Sequence, residues 1–383
     1  MTLKAAGSGA VARRGGGGPV RVMLVDDSAV IRGLLKRILD GEEGIVVEAS
    51  AGNGKRAIEA LDRFDVEVVI LDIEMPEMDG MTALPLLLEK KPGLRVIMAS
   101  TLTAKNAAIS LKAIANGASE YIPKPSSTGA LATGGDFQHE LVTKIRALGQ
   151  AARREARAPA LRRPGIKPAA AAPKGLYGDA KVALRKGLAE VPKVLAIGSS
   201  TGGPQALFNM FELLGNRLTA PILITQHMPP TFTTILAQRL QKVSGLQASE
   251  AVDGEIIVGN RIYVAPGDFH MIARRGGGAP VIKIDSGPPE NYCRPAVDPM
   301  LRSLAAVYGG KLMVVILTGM GTDGTKGARE VVAAHGSVIA QDEPTSVVWG
   351  MPGSVATNGL CSAVLPLSGI APYVLRKFGA PTA

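Results

Sequence analysis

Val194-Leu195-Ala196-Ile197-Gly198-Ser199-Ser200-Thr201-Gly202-Gly203-Pro204 decides the fold of the second half of the chain. Four apolar residues read as a buried strand and the glycine-serine run as a tight turn. The stretch from Pro204 reads as a helix, because proline is well tolerated in a first helical turn. Gly198 to Gly202 fits G-x-S-x-G, the pattern that lifts a serine hydroxyl onto a strained turn above a sheet. Ser200 is therefore the candidate nucleophile. The helix beyond it offers unpaired N–H groups and a positive dipole end to a developing oxyanion. A glycine-rich connection whose serines merely cap the helix remains the competing reading.

Outward from this turn, the 383 residues are enough for two domains. No apolar run reaches the ~18 residues of a membrane span, and residues 1–20 lack the apolar core of a secretory signal, so the protein is expected in the cytoplasm. Cys293 and Cys361 form neither a disulfide framework nor metal-site spacing and read as ordinary residues. The net charge of +10 is concentrated in residues 150–193 and in the first 21 residues, and what remains is slightly negative. With Tyr177 as the one aromatic in the basic stretch, solvation explains it better than nucleic-acid binding.

Apolar runs alternate with helical patterns on both sides of the basic stretch, which is the rhythm of parallel α/β sheets. In the first half the strands are expected at residues 21–25, 45–49, 67–71, 95–99 and 120–122. In the second half they follow at 194–197, 221–225, 261–265, 311–317, 337–340 and 362–365. The fold expected is α/β: an N-terminal five-stranded flavodoxin-like domain over 20–145 and a C-terminal doubly wound, mainly parallel sheet over 190–383. A disordered tail (1–19) and a basic Pro/Ala-rich linker (146–189) complete the chain, with a short helix expected at 180–189.

Polar residues collect at strand ends, where ligands of open parallel sheets bind. In the first domain these are Asp26, Asp27, Asp72, Ser100, Thr101 and Lys124. Three carboxylates in one crevice call for a hard cation such as Mg²⁺, and a metal-screened Asp72 can accept a phosphoryl group facing Lys124 and Ser100. In the second domain His227 follows a strand, whereas His335 reads as a helix-end group and His270 as a structural histidine. Asp323, after the strand at 311–317, is the acid that would orient His227. The same loop, Gly319 to Gly324, is formally G-x-G-x-x-G, but Asp323 would set a carboxylate against a pyrophosphate, which disfavours a nucleotide site.

Leu24 to Ser28, Leu71 to Pro76, Asp79-Gly80 and Ile122 to Pro125 resemble bacterial response-regulator receivers. That resemblance implies Asp72 as phosphoacceptor, Asp26, Asp27, Asp72 and the Glu74 backbone around Mg²⁺, and Ser100 and Lys124 as phosphate sensors. Tyr121 has no assigned role. Gly198 to Gly203, Gln226 to Pro229, Ala265 to Gly267, Arg294 to Asp298, Thr318 to Gly324 and Gly350 to Gly353 resemble the methylesterase domain of chemotaxis protein-glutamate methylesterases. It implies Ser200 as nucleophile, His227 as base, Asp323 as orienting acid, the Met320 N–H as oxyanion donor and no cofactor for the ester chemistry. It further implies chemoreceptors as substrates, receptor glutamines as deamidation targets and a chemotaxis histidine kinase as phosphodonor, without nucleic acid or membrane insertion. An unphosphorylated receiver is expected to pack over or beside the Ser200 cleft. Asn291-Tyr292-Cys293 departs from the small and polar residues with a histidine that the resemblance leads one to expect. A response regulator with a nucleotide-binding or non-catalytic output domain is the alternative.

Overall fold

The computed structural model describes residues 18–101, 103–124, 135–157, 177, 182–187 and 190–381. The expected tail and most of the expected linker lie outside these residues.

In the N-terminal half, β1 (Val20–Val25), β2 (Ile45–Ala51), β3 (Val68–Asp72), β4 (Arg95–Ser100) and β5 (Glu120–Pro123) form a sheet in the order β2-β1-β3-β4-β5, parallel throughout. Helices cover both faces, so the central strands carry apolar runs rather than alternation, and β3 is buried at every position. The helices are α1 (Ala29–Asp40), α2 (Gly54–Ala60), α3 (Gly80–Lys90), α4 (Ala104–Ala115) and α5 (Gly135–Arg157). Ser28, Asn53, Asp79 and Thr103 cap the first four, each side-chain oxygen accepting a backbone N–H of the first turn. Gly80 permits a close approach: a Cβ there would fall 2.1 Å from the Asp72 carbonyl oxygen.

The expected boundary at residue 145 falls inside α5. Ala147, Leu148 and Ala151 continue its buried face, and Arg153 closes on Glu67 at 2.5 Å, so the helix persists to Arg157 despite its charge. The short helix expected at 180–189 is also absent over 182–187. Instead Arg185 N–H donates to the Cys361 carbonyl, because an edge strand leaves backbone groups open to pairing.

The second sheet has seven strands in the order β14-β13-β12-β6-β7-β9-β8, again parallel throughout. They are β6 (Val194–Ser199), β7 (Ile222–Gln226), β8 (Gln247–Glu250), β9 (Arg261–Val264), β12 (Leu312–Ile316), β13 (Ser337–Gln341) and β14 (Cys361–Leu365). Two elements were not expected. The strand β8 is short and polar, and the antiparallel hairpin of β10 (His270–Arg275) and β11 (Pro280–Asp285) carries charges along half-exposed strands. The helices are α6 (Gly203–Leu214), α7 (Phe232–Ser244), α8 (Val297–Tyr308), α9 (Thr325–Ala333), α10 (Met351–Thr357) and α11 (Leu367–Lys377).

The two sheets share one apolar core. Ala107, Leu111 and Ile114 on α4 belong to the same buried cluster as Phe208, Phe211 and Phe232 on α6 and α7. Tyr121 of β5 stacks on Phe232 with ring centroids 4.4 Å apart and planes 14° apart.

Candidate active site

The strands β12, β6 and β7 are neighbours, so the loops at their carboxyl ends meet. They carry Asp323, Ser200 and His227 respectively. The Ser200 turn is tightly braced. Ser200 N–H donates to Thr318 O, Gly203 N–H to Ser200 O at 2.7 Å, and Gln226 Nε2 to Ser200 O at 3.0 Å. Ser199 Oγ donates to Gln226 Oε1 at 2.7 Å, making Gln226 a buried strut under the turn. Gly202 lies at φ +75°, and a Cβ on Gly203 would fall 2.0 Å from Gln226 Oε1, so both glycines are obligatory here. The loop bearing Met320 runs against the serine, since a Cβ on Gly319 would lie 3.0 Å from Ser200 N.

His227 Nε2 stands 2.7 Å from Asp323 Oδ2. Asp323 also accepts the N–H groups of Val297 (2.6 Å), Asp298 (3.1 Å) and Gly324 (2.9 Å), and Asn291 Nδ2 at 2.8 Å. Burial alone would raise this carboxyl, but His227 and the backbone donors outweigh it and hold Asp323 below its ordinary value. Asp298, buried beside it, goes the other way: burial and the Asp323 charge raise it. Burial opposes a charged His227 ring, yet the bond to Asp323 and the nearby Cys293 push it up to about 10. The G-x-G-x-x-G turn is thus filled by its own aspartate, whose carboxylate takes the Gly324 N–H that a phosphate would need.

Among the described residues no hydrogen bond joins Ser200 Oγ to His227. The remaining ring nitrogen, Nδ1, instead faces Cys293 Sγ at 3.4 Å, so Cys293 is not the ordinary residue its sequence context suggested. His270 is a satisfied core histidine, with Nε2 on Pro288 O and Nδ1 accepting from Ala296 N–H, and His335 is exposed past the end of α9. Sequence reasoning missed Gln226, Asn291 and Asp298 as supports. Each is a polar residue close to a glycine- or proline-marked turn, a weak signal in a single sequence.

In the first domain, Asp26, Asp27 and Asp72 present carboxylate oxygens within 4.8 Å of one another. Lys124 Nζ lies 2.6 Å from Asp26 and 2.8 Å from Asp72, and its charge is favoured by both despite burial. Burial raises Asp72, with Asp26 adding to it against the pull of Lys124. Ser100 Oγ is 2.9 Å from Ser110 Oγ on α4, and the exposed Glu74 carboxylate pairs with Lys105. At the other end of β5, Glu120 is buried, and its Oε2 accepts the Gly202 N–H of the serine turn at 3.1 Å.

Comparisons with known proteins agree with this geometry. Residues 195–374 match the CheB methylesterase family and residues 22–133 the response regulator receiver domain. A protein of Paramagnetospirillum magneticum named protein-glutamate methylesterase/protein-glutamine glutaminase 1 is 58% identical over 367 residues, 93% of this chain and 96% of that one. Proteins of the same activity name from Rhodospirillum rubrum and Azospirillum brasilense are 53% and 54% identical, covering 94% and 96% of this chain and 96% and 95% of theirs. With a receiver sheet joined to an esterase-type sheet and relatives that match it nearly end to end, the chain belongs to the protein-glutamate methylesterase/protein-glutamine glutaminase family.

Proposed function

We propose that the chain is a serine hydrolase that cleaves glutamate γ-methyl esters on chemoreceptors, releasing methanol, and deamidates receptor glutamines by the same acyl chemistry. The observation that carries this reading is the His227–Asp323 pair at 2.7 Å, set at neighbouring strand ends with the braced Ser200 turn. Ser200 Oγ attacks the ester carbonyl while His227 Nδ1 takes its proton. Asp323 holds the imidazolium, and the Met320 N–H binds the developing oxyanion. Collapse of the tetrahedral adduct expels methoxide, which takes the proton from His227. Water then attacks the acyl-serine along the same route and leaves a glutamate carboxylate; with glutamine, ammonia is the first leaving group.

The receiver supplies control. Asp72 accepts the phosphoryl group from a chemotaxis histidine kinase in the cytoplasm. Asp26, Asp27, Asp72 and the Glu74 carbonyl suit a hard divalent cation such as Mg²⁺: the carboxylate oxygens are clustered, and the raised Asp72 marks charge that wants neutralising. When bound, the ion screens the charge of the incoming phosphoryl group. Lys124 and Ser100 turn toward the phosphorylated side chain, Ser100 leaving Ser110 to do so. Since β5 carries Glu120 and leads directly to Lys124, only three residues separate the phosphate sensor from the residue that contacts the Ser200 turn. The unphosphorylated receiver thereby covers the cleft from the side of α4 and β5.

The test is methanol release from a methylated chemoreceptor fragment, with and without a small-molecule phosphodonor. Hydrolysis that persists in Ser200→Ala would refute the nucleophile, and the absence of hydrolysis in the parent chain under both conditions would refute the function.

A further inference from the structure

The reactive nitrogen of the base already has a partner, and it is not Ser200. Asp323, held ionised and able only to accept, takes the proton on His227 Nε2, so Nδ1 is the nitrogen left for the serine. A ring nitrogen has one in-plane site, whether it donates or accepts, and one partner fills it. Cys293 Sγ stands there at 3.4 Å.

This placement is built rather than incidental. Glu290 and Cys293 exchange both backbone hydrogen bonds, at 3.1 and 2.9 Å, and the residues between them, Asn291 and Tyr292, have φ of +53° and +63°. Two left-handed central residues define a type I′ turn, a conformation disfavoured for a tyrosine. The turn is secured from both sides. Arg302 grips both oxygens of Glu290, at 2.9 and 2.5 Å, and Asn291 Nδ2 bridges Asp298 Oδ2 and Asp323 Oδ1. One turn therefore touches both members of the His227–Asp323 pair, Asn291 on the acid and Cys293 on the base.

We propose that Cys293 is a positioning residue of the esterase site: held by this turn, its thiol competes with Ser200 for Nδ1 of His227 and sets how often base and nucleophile meet. The inference rests on the reading of Ser200 as nucleophile and His227 as base. Its titration agrees with it. The groups facing the ring are Asp323 and Cys293, with Asp298 behind Asp323, and Cys293 is one of the causes that raise His227. Removing the thiol therefore lowers the pH at which the base becomes neutral.

The experiment uses the full-length chain and its Cys293→Ala and Cys293→Ser variants, assayed for methanol release across pH beside the parent and Ser200→Ala. Cys293→Ala raises kcat roughly fivefold, the size of one weak hydrogen bond, leaves KM unchanged and moves the acid limb of the kcat profile to lower pH. Cys293→Ser, which keeps a donor on a shorter bond, falls between. An unchanged or lowered kcat with an unmoved acid limb overturns the competition, as does a change confined to KM. A parent that does not hydrolyse at all refutes the function itself and is thereby distinguishable. A readout free of turnover comes from iodoacetamide: the Cys293 sulfur forms the new S–C bond, iodide leaves and the thiol proton passes to water, the protonated His227 ring beside it favouring the thiolate. In the Ser200→Ala background, His227→Gln slows alkylation of Cys293 near neutral pH while buried Cys361 stays unreacted. Equal Cys293 rates with and without His227 overturn the contact.

Discussion

Glu120 of the receiver accepts the backbone N–H of Gly202 at 3.1 Å, two residues past the candidate nucleophile. A carboxylate from one domain thus ends on the turn that shapes the site of the other. Lys144 Nζ, 3.9 Å from Glu120 Oε1, is the nearby cation, and burial raises the Glu120 carboxyl despite it.

Glu120→Ala in the full chain removes this contact and leaves the Gly202 N–H unpaired only while the domains stay docked. Basal methanol release without phosphodonor should rise about 5- to 30-fold, the population change that 1–2 kcal/mol produces. A variant with parental basal activity would show that the contact does not restrain the site.

Ser200→Ala should eliminate methanol release while leaving the melting temperature within a few degrees of the parent, because the hydroxyl sits on a partly exposed turn and its loss opens no core cavity. His227→Gln should lose about 10²- to 10⁴-fold, as for other positioned bases. Single-turnover kinetics on the same receptor fragment checks both.

Asp72→Asn should abolish activation by phosphodonor and keep basal turnover. Chelation of divalent ions should do the same to the parent, since the three carboxylates serve the receiver and not the ester chemistry. Loss of basal turnover on chelation would contradict that separation.

His227 also leaves a mark on stability. Its pKa in the folded chain, about 10, lies above the ordinary 6.5, so the folded state holds its proton more tightly than the unfolded one. The stabilisation is complete below pH 6.5 and disappears as pH rises through about 10. The melting-temperature gap between the parent and His227→Gln should therefore narrow steadily from pH 6.5 to pH 10. A gap that stays flat over this range would mean the ring is already neutral in the folded chain.

What the sequence made legible follows from how each part is buried. The strands β1, β3, β4, β6 and β12 lie under helices on both faces, so each contains at least four consecutive apolar residues. Residues at their ends were readable for the same reason: a polar group directly after such a run has to lie on the ligand-binding edge. The strand β8 was not readable, since Gln247, Ser249 and Glu250 carry no apolar signal. Cys293 was not readable either, because its contact with His227 depends on a turn whose second left-handed residue, Tyr292, no propensity favours. Glu120 looked like the polar start of a strand; only the packing of two domains shows that its environment is the serine turn.

The segment between the domains is anchored closer to the site than a long tether would be. Tyr177 sets its ring edge-on to Trp349, with centroids 6.0 Å apart, and its hydroxyl donates to Gly350 O at 2.9 Å. The helix α5 ends at Arg157, so the chain from there to Tyr177 spans at most about 70 Å at ~3.5 Å per residue. One receiver confined to a sphere of that radius is present at about 1 mM, whether or not it is docked. On the proposed function the receiver would then act as an inhibitor that never dilutes, and an incoming receptor helix would compete against that fixed concentration. On that reading phosphorylation need not drive the domains far apart: raising the intramolecular dissociation constant of the receiver above about 1 mM would suffice to open the site.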